Sequence, residues 1–224
     1  MSNDATAGKV NSEPEREAHF IVFEGGEGAG KSLLAARIAR RLERAGVHTI
    51  EVREPGGTPA GEQVRDLLSE QLTPWAEAFA FLLARAELVS QIIGPALGAG
   101  AIVLCDRFRA STIAYQGYGR GLDLRRLAEA NASATSGLVP DLTIYLDVPP
   151  EVGLRRKLGD AEGPATGREQ LAFHERVREG YRAQLAQAPP GTWVELDATR
   201  PPEAVETDAW RLLADRLRLP ATGA

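Results

Sequence analysis

Eight residues constrain this chain more than any others. Gly25-Gly26-Glu27-Gly28-Ala29-Gly30-Lys31-Ser32 reads G-x-x-x-x-G-K-[ST]. It follows the apolar run Phe20–Phe23 and opens a helix in which Leu34, Ile38 and Leu42 step by four. Glycines let backbone N–H groups curl around phosphate oxygens, and a helix N-terminus adds positive potential. Lys31 is then expected to meet the β- and γ-phosphates of a nucleotide, and the Ser32 hydroxyl to ligate Mg²⁺. With 23 glycines, 3 lysines and 20 serines and threonines, about 0.003 accidental matches are expected in the whole chain. Gly25 to Ser32 is read as a phosphate site.

The rest of the chain repeats the strand-then-helix order. Val47–Val52, Ala101–Cys105, Leu142–Leu146 and Trp193–Leu196 join Phe20–Phe23 as short apolar runs with the character of buried strands. Helices are expected over about 59–70, 75–93, 108–116, 123–135, 150–158, 168–187 and 202–217, with Gly94-Pro95 ending the longest. The alternation implies an α/β fold: a five-stranded, mostly parallel sheet with helices on both faces. At 224 residues, 43% of them hydrophobic, a single domain over 18–219 can bury its own core. Residues 1–17 carry no hydrophobic period and are expected to form a disordered tail. The apolar-poor stretch 159–167 reads as a disordered insertion or as the tip of a short lid, about 155–168.

Composition removes other classes. A balance of 26 basic against 31 acidic residues, net -5, is unlike a binder of nucleic-acid polymers, which must neutralise phosphates. The single cysteine, Cys105, can form no internal disulfide, so a reducing, cytoplasmic setting is expected. No basic-then-apolar leader opens the chain, and its longest apolar run, Ala78 to Ala84, falls short of the ~20 residues of a membrane span. No membrane partner is expected. His19, His48 and His174 are scattered and form no catalytic arrangement.

A phosphate loop alone leaves GTPases, ATPases and small-molecule kinases open. A guanine-reading N-K-x-D is absent, since neither Lys9 nor Lys157 has an Asp two residues later. A kinase needs a second, acceptor-side phosphate site, and ligand groups gather at the carboxyl ends of parallel strands. Val47–Val52 runs into Arg53-Glu54-Pro55-Gly56-Gly57-Thr58, and Ala101–Cys105 runs into Asp106-Arg107-Phe108. An Arg at such an end can fork onto a phosphate, and an Asp can hold Mg²⁺. A surface ion pair for Arg53 and a helix N-cap for Asp106 are the plainer readings of the same residues.

These segments together resemble the bacterial thymidylate kinase family. The likeness rests on Phe23-Glu24-Gly25, Arg53–Thr58, Asp106-Arg107-Phe108-x-x-Ser111-Thr112-x-Ala114-Tyr115-Gln116, Gly119–Asp123 and Pro140–Asp147, and it covers about 20–210. It implies a P-loop NTPase fold and transfer of a phosphoryl group from ATP·Mg²⁺ to dTMP, giving dTDP, by a homodimer packed through long helices. Roles follow by position. Gly25 to Ser32 would bind ATP, with Lys31, Asp106 and Arg107 catalytic; Ser32 and Asp106 would hold the metal. Glu27 would accept a hydrogen bond from the deoxyribose 3′-hydroxyl, and Arg53 and Arg107 would grip the acceptor phosphate. Phe81 would stack on thymine unless it is plain core. Arg85 would hydrogen-bond the base edge, with Thr112 and Gln116 near the base or sugar. Tyr115 would exclude a 2′-hydroxyl, and Ser111 would support the backbone. The lid departs from the family pattern: Leu158 and Asp160 stand where basic residues are expected. Arg156 is the expected catalytic lid cation, with Arg155, Lys157 and Arg168 behind it. That gap keeps two alternatives in view, a kinase for another pyrimidine monophosphate and a non-catalytic nucleotide-binding regulator.

Overall fold

Alternation along β1, His19–Gly25, decides the layering of the molecule. Ile21 and Phe23 point to one side of the sheet, and Phe20 and Val22 to the other. The computed structural model describes residues 17–158 and 168–219. All but Glu17 of the expected tail, and 159–167 of the expected lid, lie outside the described residues.

After β1 come α1 (Lys31–Arg44), β2 (Thr49–Arg53), α2 (Pro59–Leu67), α3 (Pro74–Leu88), α4 (Gly94–Gly98) and β3 (Ile102–Asp106). The second half comprises α5 (Arg109–Thr112), α6 (Leu124–Ala134), β4 (Leu142–Asp147), α7 (Pro150–Leu158), α8 (Arg168–Gln187), β5 (Trp193–Asp197) and α9 (Pro202–Arg216). The sheet order is β2-β3-β1-β4-β5, and every adjacent pair is parallel. On one face α1 and α9 bring Leu34, Ile38, Leu42 and Leu213 onto Ile21, Phe23, Leu104 and Ile144. On the other, Leu88, Ile93 and Phe108 cover Phe20, Val22 and Val103, while Val177 and Tyr181 of α8 cover Tyr145. The α/β, P-loop-type architecture read from the sequence is therefore present.

Two expectations change. Gly94-Pro95 does not end the long helix: a π turn at Val89–Ile93 shifts the phase, and the helical stretch runs on through Pro95 to Gly98. The second π turn, Ile113–Gly119, extends α5 past 116. The helical stretch Pro74–Gly98 is, by length and composition alone, long and apolar enough to cross a membrane. Here it is a domain helix, with Arg85 in a buried ion pair and Leu88 and Ile93 in the sheet core.

Candidate active site

Three strand ends meet beside the phosphate loop. The register pairs Asp106 of β3 with Phe23 of β1 on one side and Arg53 of β2 on the other. The Arg107 amide donates to the Phe23 carbonyl and the Glu54 amide to the Asp106 carbonyl, both at 3.0 Å. Gly25–Ser32, Arg53 and Asp106-Arg107 thus line one crevice, where the strand order reverses.

The loop is held tightly from outside. Gly30 ends it in the left-handed region, φ 87°, and caps α1. Gly28, φ 65°, has no room for a Cβ because the Gly153 carbonyl of α7 lies against it; a Cβ on Gly153 would in turn meet the Glu27 carbonyl. Nothing in the sequence singled out Gly153, since its meaning comes from a contact 125 residues away in sequence, as 153 less 28. Lys31 lies along the loop, its Nζ donating to the Gly26 carbonyl at 2.7 Å and to Gly25 at 3.0 Å. Burial, then repulsion from Arg107, brings the ammonium pKa down to about 7 against the pull of Asp106 and Glu27. Phosphate oxygens arriving at the loop would restore its charge.

Ser32 Oγ donates to Asp106 Oδ2. Asp106 Oδ1 is buried and has no partner. That pairing of a hydroxyl with a carboxylate oxygen left unsatisfied fits a hard divalent cation such as Mg²⁺. Among the described residues no group of three His, Cys, Asp or Glu side chains could hold a metal unaided. Further ligands would have to come from water and from bound phosphate. The plainer N-cap reading of Asp106 fails: α5 begins after Phe108, and the Phe108 and Ser111 amides donate to Glu24 Oε1 at 2.9 and 3.2 Å. Arg53 likewise makes no ion pair among the described residues; it is exposed with its guanidinium unengaged.

Glu24 is the residue that the sequence reading left without a role. It is fully buried at the end of β1 and also accepts from Ser111 Oγ at 2.6 Å and from the Tyr181 hydroxyl at 3.0 Å. Burial raises its pKa, opposed by Ser111, the Phe108 amide, Arg107 and Tyr181. By fixing both amides that follow, it pins Arg107 at φ 73°, a left-handed conformation costing a non-glycine residue ~1–2 kcal/mol. So held, Arg107 Nη2 reaches Glu27 Oε1 at 2.9 Å and its guanidinium covers the Tyr115 ring at 4.9 Å. Glu27 also accepts from Tyr115 at 3.1 Å and from Lys157 at 2.8 Å. Burial alone would raise Glu27, but Arg107, Lys157 and Lys31 outweigh it and draw the pKa down to about 2.

The acceptor wall is built behind these groups. Phe81 is half-buried and belongs to none of the core clusters of the described residues, which tells against plain core packing. Gln116 is buried, and its Nε2 donates to Glu77 Oε1 at 2.6 Å. Arg85 stands differently from expectation. It is 1% exposed, with Nε on Glu54 at 2.9 Å, Nη1 on Thr112 at 2.8 Å and on Asn131, and Nη2 on Glu54 and on the Phe108 carbonyl at 3.1 Å. All five donors are thereby engaged inside the protein, so here Arg85 ties α3 to α6 and the acceptor segment and has none left for a base.

The cations of α7 also divide unexpectedly. Arg156 donates to the Ala198 carbonyl at 2.7 Å and to Thr199 at 3.2 Å, beyond β5. It lines a cleft with Ala29, Gly30, Leu33 and Arg200, on the α1 side of the loop. Lys157, one position on, is the cation at Glu27, and Arg155 is exposed. The side chain of Arg168 lies outside the described residues.

Comparison with known proteins agrees with this geometry. The thymidylate kinase family profile matches residues 23–209. The chain is 51% identical over 202 residues to a thymidylate kinase of Thermomicrobium roseum, covering 89% of this chain and 96% of that one. A Synechococcus thymidylate kinase is 48% identical over 201 residues, 88% of this chain and 96% of its own. One from Deinococcus radiodurans is 42% identical over 200 residues, 88% and 97%.

Proposed function

We infer that this chain, which belongs to the thymidylate kinase family, is a phosphotransferase that moves the γ-phosphoryl group of ATP onto dTMP. The observation that carries this reading is the facing of two phosphate sites: the loop Gly25–Ser32 on β1, and Arg53 with Arg107 at the adjacent strand ends. An oxygen of the dTMP phosphate attacks the γ-phosphorus, and the bond from that phosphorus to the β–γ bridging oxygen breaks. The products are dTDP and ADP. The nucleophile is already an anion, so no general base is required, and the protein's work is alignment, charge neutralisation and exclusion of water. Arg53 and Arg107 would hold the acceptor phosphate, while Lys31 and the loop amides would hold the donor's. Ser32 and Asp106 would hold Mg²⁺, which when bound supplies positive charge against the β- and γ-phosphates. The cleft beside Arg156 and Arg200 suits the nucleoside end of ATP.

Glu77 supports recognition of thymine. Its carboxylate takes one N–H of Gln116 Nε2 and so orients the amide, whose oxygen is then an acceptor for a ligand, matched to the thymine N3–H. Cytosine presents an acceptor at that position. Tyr115, fixed by Glu27 and by the Arg107 guanidinium over its ring, would exclude a 2′-hydroxyl. A homodimer is supported by the apolar stripe Trp75, Phe79 and Leu83 on α3, of which Phe79 is 58% and Leu83 51% exposed. The lone Cys105, buried and unpaired, supports a cytoplasmic setting.

The direct test is to incubate the protein with ATP, Mg²⁺ and each deoxynucleoside monophosphate and to quantify the diphosphates. dTDP should exceed every other product. Binding of dTMP without turnover would instead favour a non-catalytic regulator, and preference for a different monophosphate would overturn the roles of Gln116 and Tyr115.

A further inference from the structure

The acceptor wall has a second, inward side. Behind Phe108–Ile113, on the sheet face that carries Val22 and Thr143, lies a cleft of about 400 Å³, within the range of small-molecule sites. Its other walls come from α6, from the loop into β4, and from the α8–β5 connection, including Ala128, Val139, Pro140 and Trp193. Neither the loop residues Gly25–Ser32 nor Arg53, Asp106 or Arg107 line it. Glu24, next to the phosphate loop in sequence, also lines this cleft, and its carboxylate is held by the Phe108 and Ser111 amides, Ser111 Oγ and the Tyr181 hydroxyl.

The walls are mostly apolar, with Glu24, Thr143, Gln184, Gln187 and Thr192 among them, and two further polar groups, Asn131 and Arg109, are poorly matched by the protein. Asn131 is 1% exposed, and its Oδ1 accepts from Arg85 Nη1. Arginine has only donors, so this bond fixes the amide: Asn131 lines the cleft with its Nδ2 buried and left without a partner. A buried N–H group left unsatisfied costs about 1–3 kcal/mol, which an arriving acceptor would recover. Arg109 is half-buried at the same cleft, and its hydrogen bond among the described residues is a long one, 3.4 Å to the Leu138 carbonyl. Burial and the nearby Arg85 charge already depress its pKa, the condition in which an anionic partner gains most.

We propose that this cleft is a second small-molecule site, separate from the phosphate-transfer crevice, for a carboxylated molecule with a flat apolar body. The body lies among Val22, Ile113 and Trp193, and the acid oxygens answer Asn131 Nδ2 and Arg109. A phosphate-rich ligand does not suit it, because Arg109 is the one cation among its lining residues and the Glu24 carboxylate stands in the same wall.

The probe is 1-naphthoate, titrated by calorimetry and ligand-observed NMR against the full chain. Saturable binding at millimolar or lower concentration is expected, undisturbed by saturating ATP or dTMP. Ala128 is exposed at the rim, so Ala128→Trp should fold and close the mouth, weakening binding at least tenfold. Arg109→Gln, which keeps the shape and removes the charge, should weaken it about tenfold, the usual scale of a charge-assisted hydrogen bond. Asn131 itself is spared because it also supports Arg85. The proposal is overturned by absence of saturable binding, by displacement of the probe with ATP or dTMP, or by unchanged affinity in Arg109→Gln. Should Ala128→Trp misfold, the Arg109→Gln titration and the displacement experiment decide alone.

Discussion

Adjacent residues on one helical turn can face different parts of a site, and the α7 cations illustrate it. Arg156 and Lys157 differ by one position, which rotates a side chain by ~100° about the helix axis. Arg156 therefore meets the carbonyls of Ala198 and Thr199, and Lys157 meets Glu27. We expect Lys157→Ala to lower kcat about 10²-fold, the scale for removing one donor from a developing negative charge, with little change in KM for ATP. Arg156→Ala should do the reverse, raising KM for ATP and leaving kcat nearly intact. Steady-state kinetics on the two variants checks this, and equal effects on kcat would return the catalytic role to Arg156. The reason the sequence favoured Arg156 is physical. A motif fixes which cations are near a site, but rotation about the helix chooses among them. Arg53, Asp106 and Arg107 were legible because a strand end aims residues in one direction. Arg85 was legible as important but not as internal, since its engagement depends on Glu54, Thr112 and Asn131, three residues brought in from distant segments.

At the scale of elements, the central strands β1, β3 and β4 were readable because a parallel strand buried on both faces is apolar throughout, while β2 and β5, at the sheet edges, are only partly buried; all five appear within two residues of their expected starts. The π turns were not readable, because they answer to packing: Ile93 and Leu88 both reach the core only if the helix slips phase between them. Backbone-to-backbone seating of α7 on the phosphate loop was equally hidden. It predicts that Gly153→Val keeps the fold but displaces the loop, since its branched Cβ would meet the Glu27 carbonyl. A shift of about 1 Å in such a loop costs roughly 10²-fold in rate. Circular dichroism should match the parent while kcat falls; a Gly153→Val protein of full activity would show that the contact is slack. A second tie fixes α8. Arg178 forks onto Asp147 at 2.7 and 2.8 Å, with Arg182 at 2.8 Å and the Tyr145 hydroxyl at 2.6 Å. Burial would raise this carboxyl, but bonds from Arg178, Tyr145 and Arg182 hold it down at about 2 against an ordinary 3.8. A depressed carboxylate contributes its stability fully above the unfolded value and loses it as pH falls through the folded one. The stability advantage over Asp147→Asn should therefore be flat above pH ~5 and shrink as pH is taken from 3.8 towards 2. Urea unfolding at stepped pH measures it, and a constant advantage down to pH ~2.5 would mean that Asp147 is not held by these arginines.

For the whole molecule, the two faces of α3 do different work. One face carries Ala80, Ala84 and the buried Arg85, which lock the helix to α2 and to the acceptor wall. The opposite face leaves Phe79 and Leu83 exposed, with the half-buried Trp75 stacked on Phe79 at 5.5 Å. Three large apolar side chains at i, i+4 and i+8 form a continuous ridge, the pattern that packs a helix against another helix. Sequence periodicity could not separate these faces, because α3 is apolar nearly all round and only its neighbours reveal which stripe is spoken for. If a second copy covers the ridge, then Phe79→Asp with Leu83→Asp places two charges in a desolvated interface and should convert a dimer to monomer at micromolar concentration. Since α3 also holds Phe81, Glu77 and Arg85, the dimer contact would brace the acceptor wall, and the monomer should show a raised KM for dTMP with KM for ATP little changed. Sedimentation of the parent and the double variant, alongside those two constants, tests both halves. A parent that sediments as a monomer removes the dimer outright. A monomeric variant with the parent's KM for dTMP would leave the ridge as an interface that has no part in holding the acceptor.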